Sequence, residues 1–156
     1  MGWTTIRHSG DVIKDLYKCM IGHDENFEIL EHSLKKNVIY TATKNKKRNI
    51  IYAEVFLYSI EDREISFKGL TEFSGPYNYN CPKKILKMLS PTDDIYALEW
   101  RRKCSLSLKK GQEYKFRDKI YCEDKEYTEF IYGGNNLFRP KNENFYIRIN
   151  NWKEYI

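Results

Sequence analysis

What this sequence has little of narrows its chemistry first. Its four cysteines, Cys19, Cys81, Cys104 and Cys122, form no CxxC pair, and its three histidines, His8, His23 and His32, share no ligand spacing with them. Zinc sites built from one chain usually declare themselves through close Cys/His pairs, so no metal is indicated. Reduced cysteines serving as small hydrophobes fit a protein of the cytoplasm. No apolar run approaches the roughly eighteen residues that a membrane helix needs. The opening MGWTTIRHSG lacks the basic region, apolar run and cleavage site of a secretory leader, and its sixth residue, Ile6, is not the Ser or Thr of a myristoylation signal. A cytoplasmic protein without a membrane partner is therefore expected. No phosphate-cradling glycine loop, HExxH, nucleophile elbow or dinucleotide fingerprint occurs, so no cofactor is called for and the commonest enzyme classes fall away.

What is present suits one folded domain. A chain of 156 residues, 41% hydrophobic and 15% aromatic, can bury a real core, and a mean hydropathy of -0.72 with 31% charged residues suits a water-facing surface. Lysine and arginine number 27 against 22 aspartates and glutamates, a net charge of +5. So mild an excess points to an anionic partner only if the charges cluster in space.

Periodicity divides the chain. Asp11 to Ile21, DVIKDLYKCMI, places Val12, Ile13, Leu16, Tyr17, Cys19 and Met20 on one arc and Asp11, Lys14, Asp15 and Lys18 on the other, which predicts a helix capped by Ser9 and ended by Gly22. Phe27 to Phe73 then alternates with a period of two: FEILEHSL, NVIYTATK, NIIYAEVFLYSI and EISFKGLTEF read as four strands. The third, with Ile51, Ala53, Val55 and Leu57 facing one way and Ile50, Tyr52, Phe56 and Tyr58 the other, is expected at the centre with both faces covered. Pro82 to Leu89 predicts a short amphipathic helix, and Asp93 to Cys104 a further one that Thr92 could cap. Strand patterns resume in EYKFRD, KIYCED, YTEFIYGG, NLFR and NFYIRI. No repeat or linker interrupts them. The fold class is α+β: a single domain over 1–156, antiparallel sheet with an N-terminal helix and a central two-helix insert. Its C-terminal strands are compatible with one shared sheet or with a small barrel.

Three groups of residues stand out as candidate sites. Cys81, just ahead of a helix start and followed by Lys83 and Lys84, has the setting of an acidified thiol, but it equally suits a small residue packed beneath a turn. Glu72, Tyr77 and Tyr79 put a carboxylate beside two phenols, an arrangement for a base or ribose, for a protein contact, or simply for covering a sheet end around Gly75-Pro76. The basic residues gather in short runs: Lys44, Lys46, Lys47 and Arg48 at a hairpin tip, Lys83, Lys84 and Lys87 on one helix face, and Arg101, Arg102 and Lys103 at a helix end. Lys109 and Lys110 follow as a lesser pair. If the runs converge they could neutralise several phosphates; if they scatter they are solvated surface.

The chain resembles small phage and mobile-element proteins of uncharacterised activity that open with MGW and carry a GPxYxxCP segment, a leucine-rich short helix and a WR pair. Here those residues are Met1, Gly2 and Trp3; Gly75, Pro76, Tyr77, Tyr79, Cys81 and Pro82; Ile85, Leu86 and Leu89; Trp100 and Arg101. The match spans about the first hundred residues, and Asn80 stands where such proteins usually carry aspartate. The resemblance implies a mobile-element setting and no mechanism.

These observations together favour a binding protein over an enzyme. The expected role is to inhibit or modulate a host nucleic-acid system, such as a CRISPR or restriction effector, through a basic and aromatic surface, the partner being that protein complex or the nucleic acid itself. The alternatives are a small enzyme with Cys81 or Glu72 at a nucleotide-like pocket, and a protein–protein adaptor that touches no nucleic acid.

Overall fold

The computed structural model describes residues 2–21, 25–71 and 79–156. The chain forms two compact units, Met1–Cys104 and Ser105–Ile156. Among the described residues, no helix is long and apolar enough to cross a membrane. Strand dominates, and both sheets are antiparallel, so the α+β class stands.

The first unit is a five-stranded sheet in the order β1-β5-β4-β3-β2, built from β1 (Thr4–Arg7), β2 (Phe27–Lys35), β3 (Val38–Asn45), β4 (Ile50–Glu61) and β5 (Glu64–Thr71). Four of these are the four alternating runs. β4 lies at the centre, and its alternation covers two faces with different partners. Ala53 and Val55 join Tyr40, Ala42, Cys81, Ile85, Trp100 and Cys104 on one side, under α2 (Lys83–Leu86) and α3 (Ile95–Cys104). Phe56 joins Ile39, Ile65, Phe67 and Leu16 on the other, under α1 (Val12–Leu16). Each face buries a continuous apolar cluster, which is why a strand apolar on both sides is stable only here.

The helix ends differ from the sequence expectation. Asp11, not Ser9, caps α1: its carboxylate accepts from the amides of Ile13 and Lys14, both at 3.1 Å. A π-type turn, Tyr17–Ile21, follows; the expected terminator Gly22 lies outside the described residues. Asp15, placed by its spacing on the polar arc, is buried, because the His8 ring Nδ1 and the Ser9 amide reach its carboxylate at 2.7 and 3.0 Å. α3 begins two residues later than expected, with Asp94 as the cap in place of Thr92: the Asp94 carboxylate accepts from Tyr96 and Ala97, each at 3.0 Å. The aspartate carboxylate reaches the orphan amides of the second and third helical residues, while the Thr92 hydroxyl accepts the Asp94 amide at 3.2 Å one step earlier.

The second unit is a four-stranded sheet in the order β6-β7-β8-β9: β6 (Glu113–Cys122), β7 (Lys125–Tyr132), β8 (Leu137–Pro140) and β9 (Ile147–Arg148). EYKFRD and KIYC are one strand, irregular between Lys115 and Ile120. The small barrel is not formed, because β9 has two residues and pairs with β8 alone, so the sheet stays open. A 3-10 turn, Trp152–Glu154, does some of the work of closure. The Arg117 amide, in the irregular stretch of β6, donates to the Tyr155 carbonyl at 2.7 Å, and Trp152 packs with Phe116, Phe130, Phe138 and Ile149. The Phe116 ring stands 4.7 and 5.3 Å from those of Phe130 and Phe138, so this small core is mainly aromatic.

Candidate nucleic-acid interface

The basic runs sit in the first unit, and their positions follow from the sheet register. Lys46, Lys47 and Arg48 form the β3–β4 turn, held by the Asn45 side-chain oxygen, which accepts from the Arg48 amide at 3.2 Å. Lys44 is half-buried and pairs across the ladder with Ile51, on the side covered by α2. α2 lies over β2 and β3 with Ile85 fully buried, so Lys83, Lys84 and Lys87 are left in solvent.

Two of the runs meet on edge strand β2. The Lys46 ammonium stands 3.7 Å from Glu28, and the Lys84 ammonium 3.5 Å from Glu31. A bulge between Ile29 and Glu31 returns both glutamates to the α2 side of the sheet, with Glu28 opposite Lys44 and Glu31 opposite Ala42. Hairpin tip and helix therefore face one another across about three residues of strand, on the order of 10 Å. The hydrogen bond that the Glu31 carboxylate accepts from the His32 amide, and then the Lys84 charge, hold its carboxyl below the usual range. Pairs so exposed contribute little to stability, which leaves the lysines open to exchange for a stronger anion.

The third run divides. Arg101 donates to the Ser90 carbonyl at 2.6 Å, while Ser90 exchanges two hydrogen bonds with the Ile51 backbone, both 2.8 Å, so Arg101 is anchored near Lys44. Arg102 is exposed and forms a forked pair with Glu99 at 2.8 and 3.0 Å. Lys103 does not reach the surface: it is 4% exposed, and its ammonium lies 4.9 Å from the centre of the Tyr79 ring. Tyr79 is half-buried and packs against the core cluster on that side of the sheet. Tyr77 and Glu72 lie outside the described residues.

Cys81 is 4% exposed within the core cluster around Tyr40, Val55 and Trp100, so it packs beneath the start of α2. None of the four cysteines forms a disulfide. Among the described residues, no group of three or more His, Cys, Asp or Glu could hold a metal ion.

One polar feature escaped the sequence reading. On the α1 side of the sheet, Thr41 and Thr43 are fully buried with their hydroxyls 2.8 Å apart, and the Thr43 hydroxyl donates to the Glu54 carboxylate. Burial pushes the Glu54 carboxyl up despite that bond, and burial together with the Glu54 charge pushes Tyr52 up to about 12. The signal was present: in the alternation of β4, Glu54 falls between Tyr52 and Phe56 on a face otherwise apolar or aromatic.

Comparison with known proteins adds no relative to this geometry: no protein-family model, no curated protein and no solved structure matches the chain.

Proposed function

We propose that this chain is an accessory binding protein of the mobile-element kind that its sequence resembles, acting on a host nucleic-acid system such as a CRISPR or restriction effector. It uses the basic surface formed by the β3–β4 tip, α2 and Arg101. The observation that supports this reading is the meeting of Lys46 and Lys84, 38 positions apart in sequence, over the short β2 stretch from Glu28 to Glu31. Arg101 joins the same end through Ser90 and Ile51. Convergence of this sort lets several phosphates be neutralised at once, the condition for salt-steep binding.

The test is fluorescence anisotropy with a short duplex and a short single strand between 50 and 300 mM salt, run beside an effector pull-down. Neutralising Lys46, Lys47, Arg48, Lys83, Lys84 and Lys87 together removes up to six phosphate contacts, so the slope of log K against log salt falls by up to about five on a duplex. Binding that is absent from both assays, or indifferent to salt, sinks the proposal. Retention of a protein partner by the neutralised variant favours the adaptor reading instead. That reading draws on a different observation, the exposed apolar side chains Ile95, Tyr96 and Leu98 on α3, at 72, 66 and 47%.

A further inference from the structure

Lys46 and Lys84, through which the hairpin tip and α2 meet, each already hold an anion of their own chain, Glu28 and Glu31. Of the six cations on those two runs, Lys46, Lys47, Arg48, Lys83, Lys84 and Lys87, they alone pair with a carboxylate among the described residues. Both carboxylates come from the stretch of β2 that separates the runs.

That placement is built into the strand. Residues three apart on a regular strand face opposite ways, so Glu28 and Glu31 would otherwise lie on different faces of the sheet. The bulge between Ile29 and Glu31 sets both on the α2 side, opposite Lys44 and Ala42. The hairpin tip is tied to the same strand, since the Lys46 amide donates to the Asn26 carbonyl at 2.7 Å. Glu31 is also tethered without help from any lysine: the oxygen that faces Lys84 at 3.5 Å accepts the His32 amide at 3.0 Å. It therefore stays at the surface when Lys84 turns to another anion. Glu28 has Lys46 as its one partner among the described residues.

We propose that Glu28 and Glu31 are a built-in competitor for the basic surface: they occupy Lys46 and Lys84 in the free protein, lower the affinity for a lone phosphate, and yield to a polyanion that engages the tip and α2 together. The inference rests on the reading of that surface as a nucleic-acid interface. A lone phosphate exchanges one exposed ion pair for another and gains little. A run of phosphates spanning about 10 Å displaces both carboxylates and reaches the other four cations in the same event. The tethered Glu31 remains as the larger source of repulsion, so the pair discriminates by opposing the weaker ligand.

The experiment is fluorescence anisotropy of the full chain with a short duplex at 50 and 300 mM salt, on the parent, Glu28→Gln, Glu31→Gln, the double variant, and Glu61→Gln with Glu64→Gln. The last is a control for net charge. Glu61 and Glu64 are exposed and paired across the β4–β5 hairpin, and Glu61 lies eight to ten residues along β4 from Ala53 and Ile51, the partners of Ala42 and Lys44, roughly 26–33 Å away. Glutamine at 31 keeps an oxygen for the His32 amide and the pairs are exposed, so melting temperatures should match the parent's. At 50 mM salt the double variant should bind about fivefold tighter than the parent, with Glu31→Gln giving the larger share and the control less than about twofold. The gain should shrink below about twofold at 300 mM, because salt screens exposed charges. Inorganic phosphate should displace the duplex from the parent no better than other salt of equal ionic strength. Binding by the double variant where the parent shows none would likewise support the proposal. If the parent binds through its lysines, as the lysine-neutralised variant reports, but the double variant binds no tighter, the control tightens as much, or inorganic phosphate competes above its ionic strength, the competitor is overturned and the surface reading stands. If no variant binds, or binding survives neutralisation of the lysines, both fail.

Discussion

Replacing Ile85 by alanine probes how the lysines of α2 are held in place. The helix spans four residues, Lys83–Leu86, and Pro82 at its cap position offers no side-chain hydrogen bond. Isolated helices shorter than about 12 residues are marginal in water, so α2 persists through what it buries and not through its own hydrogen bonds. Ile85 is fully buried among Tyr40, Val55, Cys81 and Trp100, while Leu86, Met88 and Leu89 are only partly covered. Truncating a buried isoleucine to alanine costs about 2–5 kcal/mol; a middle value of about 3 kcal/mol corresponds to roughly 12 °C in melting temperature for a unit of about a hundred residues. Ile85→Val, which removes one methylene, should cost only about 1 kcal/mol. Urea titration followed by tryptophan fluorescence is the assay, since Trp100 sits in the same cluster. The midpoint should move in proportion to these costs at an unchanged slope. An alanine variant within about 1 kcal/mol of the parent, or a valine variant as damaged as the alanine one, would refute the claim that this side chain seats the helix.

Three further outcomes follow from particular side chains. Asp94→Ala removes the acceptor for two amides at the start of α3 and should cost about 1 kcal/mol in a thermal melt, with Asp94→Asn recovering most of it. Burial alone would raise the Asp15 carboxyl, but the hydrogen bonds from His8 and Ser9 outweigh it and hold the group below its ordinary 3.8. Its contribution is therefore complete above that value and lost as pH falls through the lowered one, so acid denaturation curves of the parent should fall below about pH 4 more steeply than those of Asp15→Asn. Glu54 has the opposite sign. Burial raises its carboxyl above 4.5, so the folded state holds the proton longer than the unfolded one, and stability declines as pH rises from 4.5 through the raised value. Glu54→Gln keeps an acceptor for Thr43 and should melt higher than the parent at pH 7 but not at pH 4; equal shifts at both would remove the carboxylate from the account.

The sequence by itself determined the strands of the first unit, since a period of two carried through β-branched and aromatic residues leaves few other ways to bury both faces of β4. It determined α2 and α3 to within a few residues for a similar reason: Ile85 and Trp100 need a covered side. β1 was not legible, because TTIR has a single inward residue, Ile6, and is a strand only through pairing with β5. Asp15 and Glu54 show a second limit. A carboxylate reads as surface from its type, and only partners brought together by the fold, His8 and Ser9 for one and Thr43 for the other, make its burial tolerable. The open form of the second sheet was likewise decided by packing, in which Trp152 joins the aromatic core and the Tyr155 carbonyl accepts the Arg117 amide of β6. The basic runs could be counted along the chain, but not located. It was the β2 bulge that set Glu28 and Glu31 on one face and drew Lys46 and Lys84 together, and the packing of Tyr79 that withdrew Lys103. Sequence fixes which side chains a strand or helix can present, whereas register and packing decide which of them meet, because long-range contacts depend on every element between them.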